Sequence, residues 1–308
     1  MTRSVELDLG LVVAGHGRHY LVETPDGDRL ICHPRGKKSQ AVVGDRVRWQ
    51  SVSQTTAGGA GEGVIEHIEA RRNLLFRQDE WKAKSFAANL DQLLVWLAVE
   101  PAFSESQLAR ALIAAESAGI AATIVLNKTD LPAAETQRAR LAPYRAMGYP
   151  LLELSLKGHR EAARAALAPA LERRATLVLG PSGGGKSTLI NAMVPDARAQ
   201  VGEVSQALGA GRHTTTTTQW YWLDREAGSA LIDSPGFQEF GLQQIEAVQL
   251  PAYMPDVRAH AGECRFYNCT HRREPGCAVI AAVERGDVSA SRWRLYGELY
   301  EELSRPRW

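Results

Sequence analysis

The sequence predicts an α/β protein in three parts: a small five-stranded β-barrel, a mainly parallel sheet with helices on both faces, and a short, mainly helical segment stapled by a metal. Three observations predict it. Short runs of alternating apolar and polar residues fill roughly the first 70 positions. Strand-like and helix-like patterns alternate from Leu93 to Leu242. Cys264, Cys269 and Cys277, three of the four cysteines, crowd one stretch near the C-terminus. The 308 residues suit two or three domains of ~100–150 residues, and the pattern divides them at 1–75, 76–250 and 251–308.

In the first part Leu9, Leu11 and Val13, then Tyr20 and Val22, alternate with smaller or polar residues, as half-buried strands do. Pro25-Asp26-Gly27-Asp28 turns the chain into Leu30–Cys32, giving a hairpin. Gly44-Asp45 leads into Val47-Arg48-Trp49, and Val64–Ile68 adds a strand after a glycine-rich loop. Short strands at this spacing suit a barrel of the OB type.

In the middle part, strands are expected at Leu93–Val99, Ala122–Leu126, Thr176–Leu179 and Ala230–Ile232. Helices are expected at Gln107–Ala118, Glu135–Met147, Glu161–Arg173 and from about Lys186. This alternation implies parallel strands covered on both faces. In the last part Ala278–Val283 and Trp293–Leu303 read as helices.

Composition excludes collagen, low-complexity disorder and a disulfide scaffold. Lys plus Arg number 36 against 35 Asp plus Glu, a net charge of +1, so a globally basic nucleic-acid binder is excluded while local basic patches are not. Residues 1–10 carry Glu6 and Asp8 and do not read as a secretory signal. The most apolar segment, Leu93–Val99, is far shorter than the ~20 residues of a membrane helix. A cytoplasmic protein is expected.

Gly180-Pro181-Ser182-Gly183-Gly184-Gly185-Lys186-Ser187 fits the phosphate-loop pattern G-x-x-x-x-G-K-[ST], between a strand and a helix start as that pattern requires. Glycines let backbone N–H groups converge on phosphate oxygens at the positive end of the following helix. Lys186 is placed to neutralise the β- and γ-phosphates and Ser187 to ligate Mg²⁺, with Thr188 beside it. Asn127-Lys128-Thr129-Asp130 follows a strand; the Asp130 carboxylate can accept from guanine N1–H and the 2-amino group, donors that adenine lacks. Ser155-Leu156-Lys157 can set a backbone N–H near guanine O6. Asp233-Ser234-Pro235-Gly236 offers a carboxylate for Mg²⁺ through water and a Gly236 N–H for the γ-phosphate. Between these lies Gly211-Arg212-His213 followed by Thr214–Thr218, where a hydroxyl such as that of Thr214 or Thr215 can complete the Mg²⁺ shell.

Together these elements form a complete GTPase set in rotated order, with the guanine-recognition loop first and the phosphate loop third. The expected architecture is a circularly permuted P-loop GTPase, feasible because the termini of such folds lie close together. Cys264-x₄-Cys269-x-His271-x₅-Cys277 supplies three thiolates and an imidazole, a tetrahedral set that suits structural zinc. The segment is too short to bury a core alone, so the metal is expected to contribute to folding. Arg29, Arg35, Lys37, Lys38, Arg46 and Arg48 face only Asp45 within their stretch, and Arg265, Arg272, Arg273, Arg292 and Arg294 follow near the C-terminus. Both sets are candidate RNA-contacting charge.

The chain resembles the ribosome small-subunit-dependent GTPase A family, bacterial circularly permuted GTPases of late 30S maturation. The resemblance spans almost the whole chain. It rests on NKTD at 127–130, GPSGGGKST at 180–188, GRHTTT at 211–216, DSPGF at 233–237, the Cys/His run, and Ala88-Asn89-Leu90-Asp91-Gln92. It implies an N-terminal OB-fold, zinc in the C-terminal domain, Mg²⁺ with GTP or GDP, and the 30S subunit with its 16S rRNA as partner of a monomer. Phe237 stands where Ras-like enzymes place a water-orienting glutamine, so slow intrinsic hydrolysis is expected. His213, with Lys186 and Thr215, is the candidate catalytic set. Two other classes remain open on the residues: an RNA-binding checkpoint module that uses GTP only as a ligand, and an adenine-nucleotide kinase or ATPase, disfavoured by Asp130.

Overall fold

The structure, a computed structural model, describes residues 7–36, 41–52, 62–78, 83–194, 218–234, 242 and 244–305. The N-terminal strands are β1 (Asp8–His16), β2 (His19–Glu23), β3 (Arg29–Pro34), β4 (Arg46–Ser51) and β5 (Glu62–Ile68). They run in the order β1-β2-β3-β5-β4, and β4 returns to pair with β1, closing the barrel. All pairings are antiparallel except β3 with β5. This is the closed five-stranded topology expected of an OB-type barrel. Val12, Val22, Leu30, Cys32, Val47, Trp49 and Ile65 fill it. Cys32 lies within this apolar packing, and burial pushes its thiol up to about 12, so it stays a neutral core residue.

A hairpin absent from the sequence reading, β6 (Leu74–Gln78) with β7 (Ala83–Ala88), joins the barrel to the central sheet. The join is tight at Gly44. Its φ is +91°, and a Cβ there would lie 2.1 Å from the Ala88 carbonyl oxygen, so only glycine fits. Beside it Asp45 is buried and receives the Arg71 guanidinium at 2.7 and 2.8 Å and the Val42 N–H at 2.7 Å.

The central sheet is built from β8 (Gln92–Ala98), β9 (Ala121–Asn127), β10 (Leu151–Glu153), β11 (Ala175–Leu179), β12 (Gln219–Asp224) and β13 (Ser229–Asp233). Its order is β10-β9-β8-β11-β13-β12, parallel except for β12. Strand β8 is buried along its whole length, as a central parallel strand is. Its side chains divide the core by alternation. Leu93, Val95 and Leu97 pack with α1 (Glu105–Ala118) and α2 (Ala134–Ala146) on one face. Leu94 and Trp96 pack with α3 (Arg160–Leu171) and α4 (Lys186–Met193) on the other. At the far edge β12 pairs antiparallel with β1 at Ala14 and Gln219, so barrel and central sheet form one eleven-stranded sheet. Glu23 strengthens this join: it accepts from Arg29 Nε at 2.8 Å, from Trp222 Nε1 at 2.6 Å and from Arg225.

The C-terminal segment holds a 3-10 turn (Ala247–Tyr253), α5 (Pro255–Ala261), α6 (Ala278–Arg285) and α7 (Ala290–Leu303). It docks on α1. Leu250, Met254, Val257, Val279 and Leu299 share one core cluster with Leu108 and Leu112. Arg110 pairs with Glu302, and Ser291 Oγ donates to Glu105 at 3.0 Å. Among the described residues no helix is long and apolar enough to cross a membrane.

Candidate nucleotide site and metal centre

Residues 180–185 link the C-terminal end of β11 to α4, the place where ligands bind in parallel sheets. The helix opens at Gly185, whose φ of +101° brings the chain in without a side-chain cap, so the first N–H groups of α4 are left for a ligand. Ser182, Gly183, Ser187 and Thr188 are exposed, while Gly180 and Gly184 are buried. Lys186 Nζ donates to the Gly180 and Pro181 carbonyls at 2.6 and 3.0 Å. Burial lowers the Lys186 pKa and the nearby Asp233 carboxylate opposes that shift.

The residues of the Asn127–Asp130 and Ser155–Lys157 segments converge on the same loop from the ends of β9 and β10. Asn127 is buried; its amide Nδ2 donates to the Gly184 carbonyl at 3.0 Å and its Oδ1 accepts from the Leu156 N–H at 3.1 Å. Lys128, with φ +62°, reaches back to the Gly183 carbonyl at 2.9 Å and the Glu100 carbonyl at 2.5 Å. Ser155 Oγ donates to the Asp130 carboxylate and accepts from the Gly158 N–H at 3.2 Å. The Ser155 hydrogen bond is the main cause holding the Asp130 carboxyl below its ordinary range, so it remains an acceptor at neutral pH. Lys157 is exposed beside them. An anionic acceptor, a backbone N–H from 155–157 and a phosphate loop thus share one rim.

Asp233 ends β13 alongside, with Ser234 Oγ bonded to the Val178 carbonyl at 2.8 Å. Its Oδ1 is buried with no hydrogen-bond partner among the described residues. Burial raises its carboxyl to about 6, and Lys186 counters part of that. An orphaned carboxylate oxygen beside a phosphate loop fits a hydrated Mg²⁺, which would be held by Ser187 and, through water, by Asp233. His213, Thr214, Thr215, Gly236 and Phe237 lie outside the described residues.

In the C-terminal segment the ligand atoms of Cys264, Cys269, His271 and Cys277 lie within 4.8 Å of one another. Cys264 Sγ is 3.9 Å from Cys277 Sγ and 3.4 Å from His271 Nδ1, and Cys277 Sγ is 3.6 Å from that nitrogen. Tetrahedral bonds of ~2.3 Å to sulfur and ~2.0 Å to nitrogen require such separations. Packed together without a cation, the Cys269 and Cys277 thiols are raised, by burial first, so a dication is what would hold these sulfurs as thiolates. The cluster is braced by Glu274, which accepts from the Thr270, Arg272 and Arg273 N–H groups at 2.9, 3.0 and 3.1 Å.

The basic patches are less free than their sequence suggests. Arg29, Arg35 and Arg48 are paired with Glu23, Glu66 and Glu69, acids that lie on or beside neighbouring strands. Arg292 is not a surface cation at all: it is buried against Asp256 at 2.8 Å with its guanidinium over Tyr144. Arg46, Arg265, Arg273 and Arg294 keep more open positions, and Lys37 and Lys38 lie outside the described residues.

A phosphate loop on β11, a guanine-type acceptor loop that precedes it in the chain, and an acidic strand end define a circularly permuted P-loop GTPase. Comparison with known proteins narrows the class. The RsgA GTPase family profile matches residues 68–243. The Small ribosomal subunit biogenesis GTPase RsgA of Variovorax paradoxus (strain S110) is 60% identical over 305 residues, covering 97% of this chain and 93% of its own. The protein of the same name from Burkholderia pseudomallei (strain K96243) is 53% identical over 304 residues, with 98% and 94% covered. Among solved structures, YloQ, a circularly permuted GTPase, aligns with a TM-score of 0.69 at 27% identity over 100% of this chain and 99% of its own. YjeQ from Thermotoga maritima aligns with a TM-score of 0.69 at 28% identity, covering 97% and 100%. The chain belongs to the RsgA GTPase family and is a GTP-hydrolysing enzyme.

Proposed function

We propose that this enzyme hydrolyses GTP when stimulated by the small ribosomal subunit and assists late 30S maturation, binding 16S rRNA through its flanking domains. Near-full-length similarity to proteins named for small-subunit biogenesis supports the partner. The observation that carries the nucleotide reading is the junction at Asn127, which ties the 155–157 turn to the Gly184 carbonyl and so sets the base and phosphate subsites at one fixed spacing.

In this reading Asp130 accepts from guanine N1–H and the 2-amino group, with Ser155 and Lys157 beside it. Gly180, Ser182, Gly183, Gly184, Gly185, Lys186, Ser187 and Thr188 cradle the phosphates. Ser187, a hydroxyl of Thr214 or Thr215, and Asp233 through water hold Mg²⁺, and the Gly236 N–H meets the γ-phosphate. His213 orients the attacking water in place of the glutamine that Phe237 replaces. Cys264, Cys269, His271 and Cys277 hold one structural zinc. The chain divides at 1–75, 76–250 and 251–308 and works as a cytoplasmic monomer.

GTP turnover titrated with purified 30S subunits tests the proposal. Turnover that rises and saturates with subunit concentration is expected, and flat turnover would refute it. The same titration with His213→Ala tests the water-orienting role, which full stimulated turnover in the variant would exclude. The γ-phosphate loop after Asp233 leads directly into the zinc-binding segment, so tighter 30S binding is expected with a non-hydrolysable GTP analogue than with GDP.

A further inference from the structure

Trp96 is fully buried in the middle of β8 and lies beneath the phosphate loop, not in it. Three loop glycines rest on it. A Cβ on Gly180 would fall 2.0 Å from the Trp96 carbonyl oxygen. A Cβ on Gly184 would meet the indole Cδ1 at 3.7 Å, and one on Gly185 would meet Nε1 at 3.6 Å. The indole N–H donates to the Gly184 carbonyl at 2.9 Å, the same oxygen that accepts from Asn127 Nδ2 at 3.0 Å.

A carbonyl oxygen has two lone pairs, and here both are taken. The peptide plane between Gly184 and Gly185 is therefore fixed. In a trans peptide the N–H points opposite to the C=O, so holding the Gly184 oxygen down on the floor turns the Gly185 N–H up, toward the side where phosphate oxygens sit. Glycines at 183–185 give this segment little stiffness of its own. A phenylalanine at position 96 would keep an apolar, buried ring while lacking the N–H donor. The indole nitrogen is what the loop uses.

We propose that Trp96 is a positioning residue for phosphate binding: its indole N–H, sharing the Gly184 carbonyl with Asn127, locks the loop in its phosphate-receiving orientation before nucleotide arrives. The inference rests on the reading that residues 180–188 hold the phosphates.

The test compares full-length wild type, Trp96→Phe, Asn127→Ala and the double variant, with a fluorescent GDP and GTP as probes and turnover measured with and without 30S subunits. Trp96→Phe is expected to weaken nucleotide binding and raise KM by about three- to tenfold, the size of one lost buried hydrogen bond. Its kcat at saturating GTP stays within about twofold, because bound phosphate re-forms the loop. In the Asn127→Ala background the same change costs more than in wild type, since it removes the last donor from a buried carbonyl. Wild-type affinity in Trp96→Phe, or strict additivity in the double variant, overturns the proposal. A lowered melting temperature with unchanged KM would mark a packing role only and also overturns it. Lys186→Ala separates the two layers: undiminished GDP binding there would sink the phosphate-site reading itself, whatever Trp96→Phe does. If Trp96→Phe does not fold, a crystal structure of the wild-type complex with GDP gives the second reading. Both donors retained on the Gly184 oxygen supports the proposal, and an indole turned away from it overturns it.

Discussion

Replacing Asp233 by asparagine removes a negative charge that the fold buries. Asp233 is 7% exposed, its Oδ1 is unpartnered among the described residues, and burial lifts its carboxyl from an ordinary 3.8 to about 6 even though Lys186 pulls the other way. At 1.36 kcal/mol per tenfold, that gap is worth about 3 kcal/mol. Its sign is set by which state holds the proton. Between about pH 4 and pH 6 the folded chain keeps a proton that the unfolded chain has released, so the contribution of Asp233 to stability is full below about pH 4 and is lost as pH rises through about 6. Nucleotide-free wild type and Asp233→Asn should therefore be nearly equal at pH 4, with the variant more stable by up to about 3 kcal/mol at pH 7.5. Urea denaturation followed by circular dichroism, without Mg²⁺ or nucleotide, reads the difference, and comparing the two proteins at each pH cancels the titration of other groups. Added Mg²⁺ with GTP should raise the wild-type melting temperature further than GTP alone and should not do so for the variant. A stability advantage that is absent, or that does not change between pH 4 and 7.5, would refute the reasoning.

Asp130→Asn should lower GTP affinity by at least about tenfold and admit xanthine nucleotides, measured by their competition with labelled GTP. Metal analysis should find one zinc per wild-type chain and none in Cys264→Ser/Cys277→Ser, whose C-terminal helices should melt earlier because Cys277 sits at the start of α6. Arg292→Ala should cost about 3–5 kcal/mol by stranding buried Asp256, read by chemical denaturation; Arg292→Met with Asp256→Leu should recover most of the loss.

The parts legible in the sequence were those whose chemistry is local. Residues 180–188 and 127–130 hold their motifs in consecutive positions, and the Cys/His spacing survives as a cluster of four potential ligands because a turn at Pro275-Gly276, with Gly276 at φ +74°, returns Cys277 to the others. Strand β8 was legible because Leu93–Val99 is an unbroken apolar run closed by Glu100 and Pro101, the pattern of a strand covered on both faces. What was missed depends on distant partners. Gln219-Trp220-Tyr221-Trp222 has no alternation, and β12 exists because β13 on one side and β1 on the other supply its hydrogen bonds. The β6–β7 hairpin is fixed through Ala88 and Asn89 against residues 43 and 44. Arg292 reads as a surface cation until Asp256, 36 positions away, is seen against it. Trp96 reads as core filler, and its hydrogen bond reaches a glycine 88 positions on.

The join between β1 and β12 also bears on how an open sheet edge is avoided. A strand at the rim of a sheet offers unpaired backbone groups to any passing chain, and aromatic residues on it make the offer stronger. Strand β12 would be such a rim, carrying Trp220 and Trp222. The barrel guards it, with β1 pairing at Gln219 and Glu23 capturing the Trp222 indole and Arg225 further along. A chain shortened to its GTPase and C-terminal parts loses that guard. It would bare both a sticky edge and the Arg225 guanidinium that Glu23 pairs with, so the barrel acts as a built-in shield against self-association.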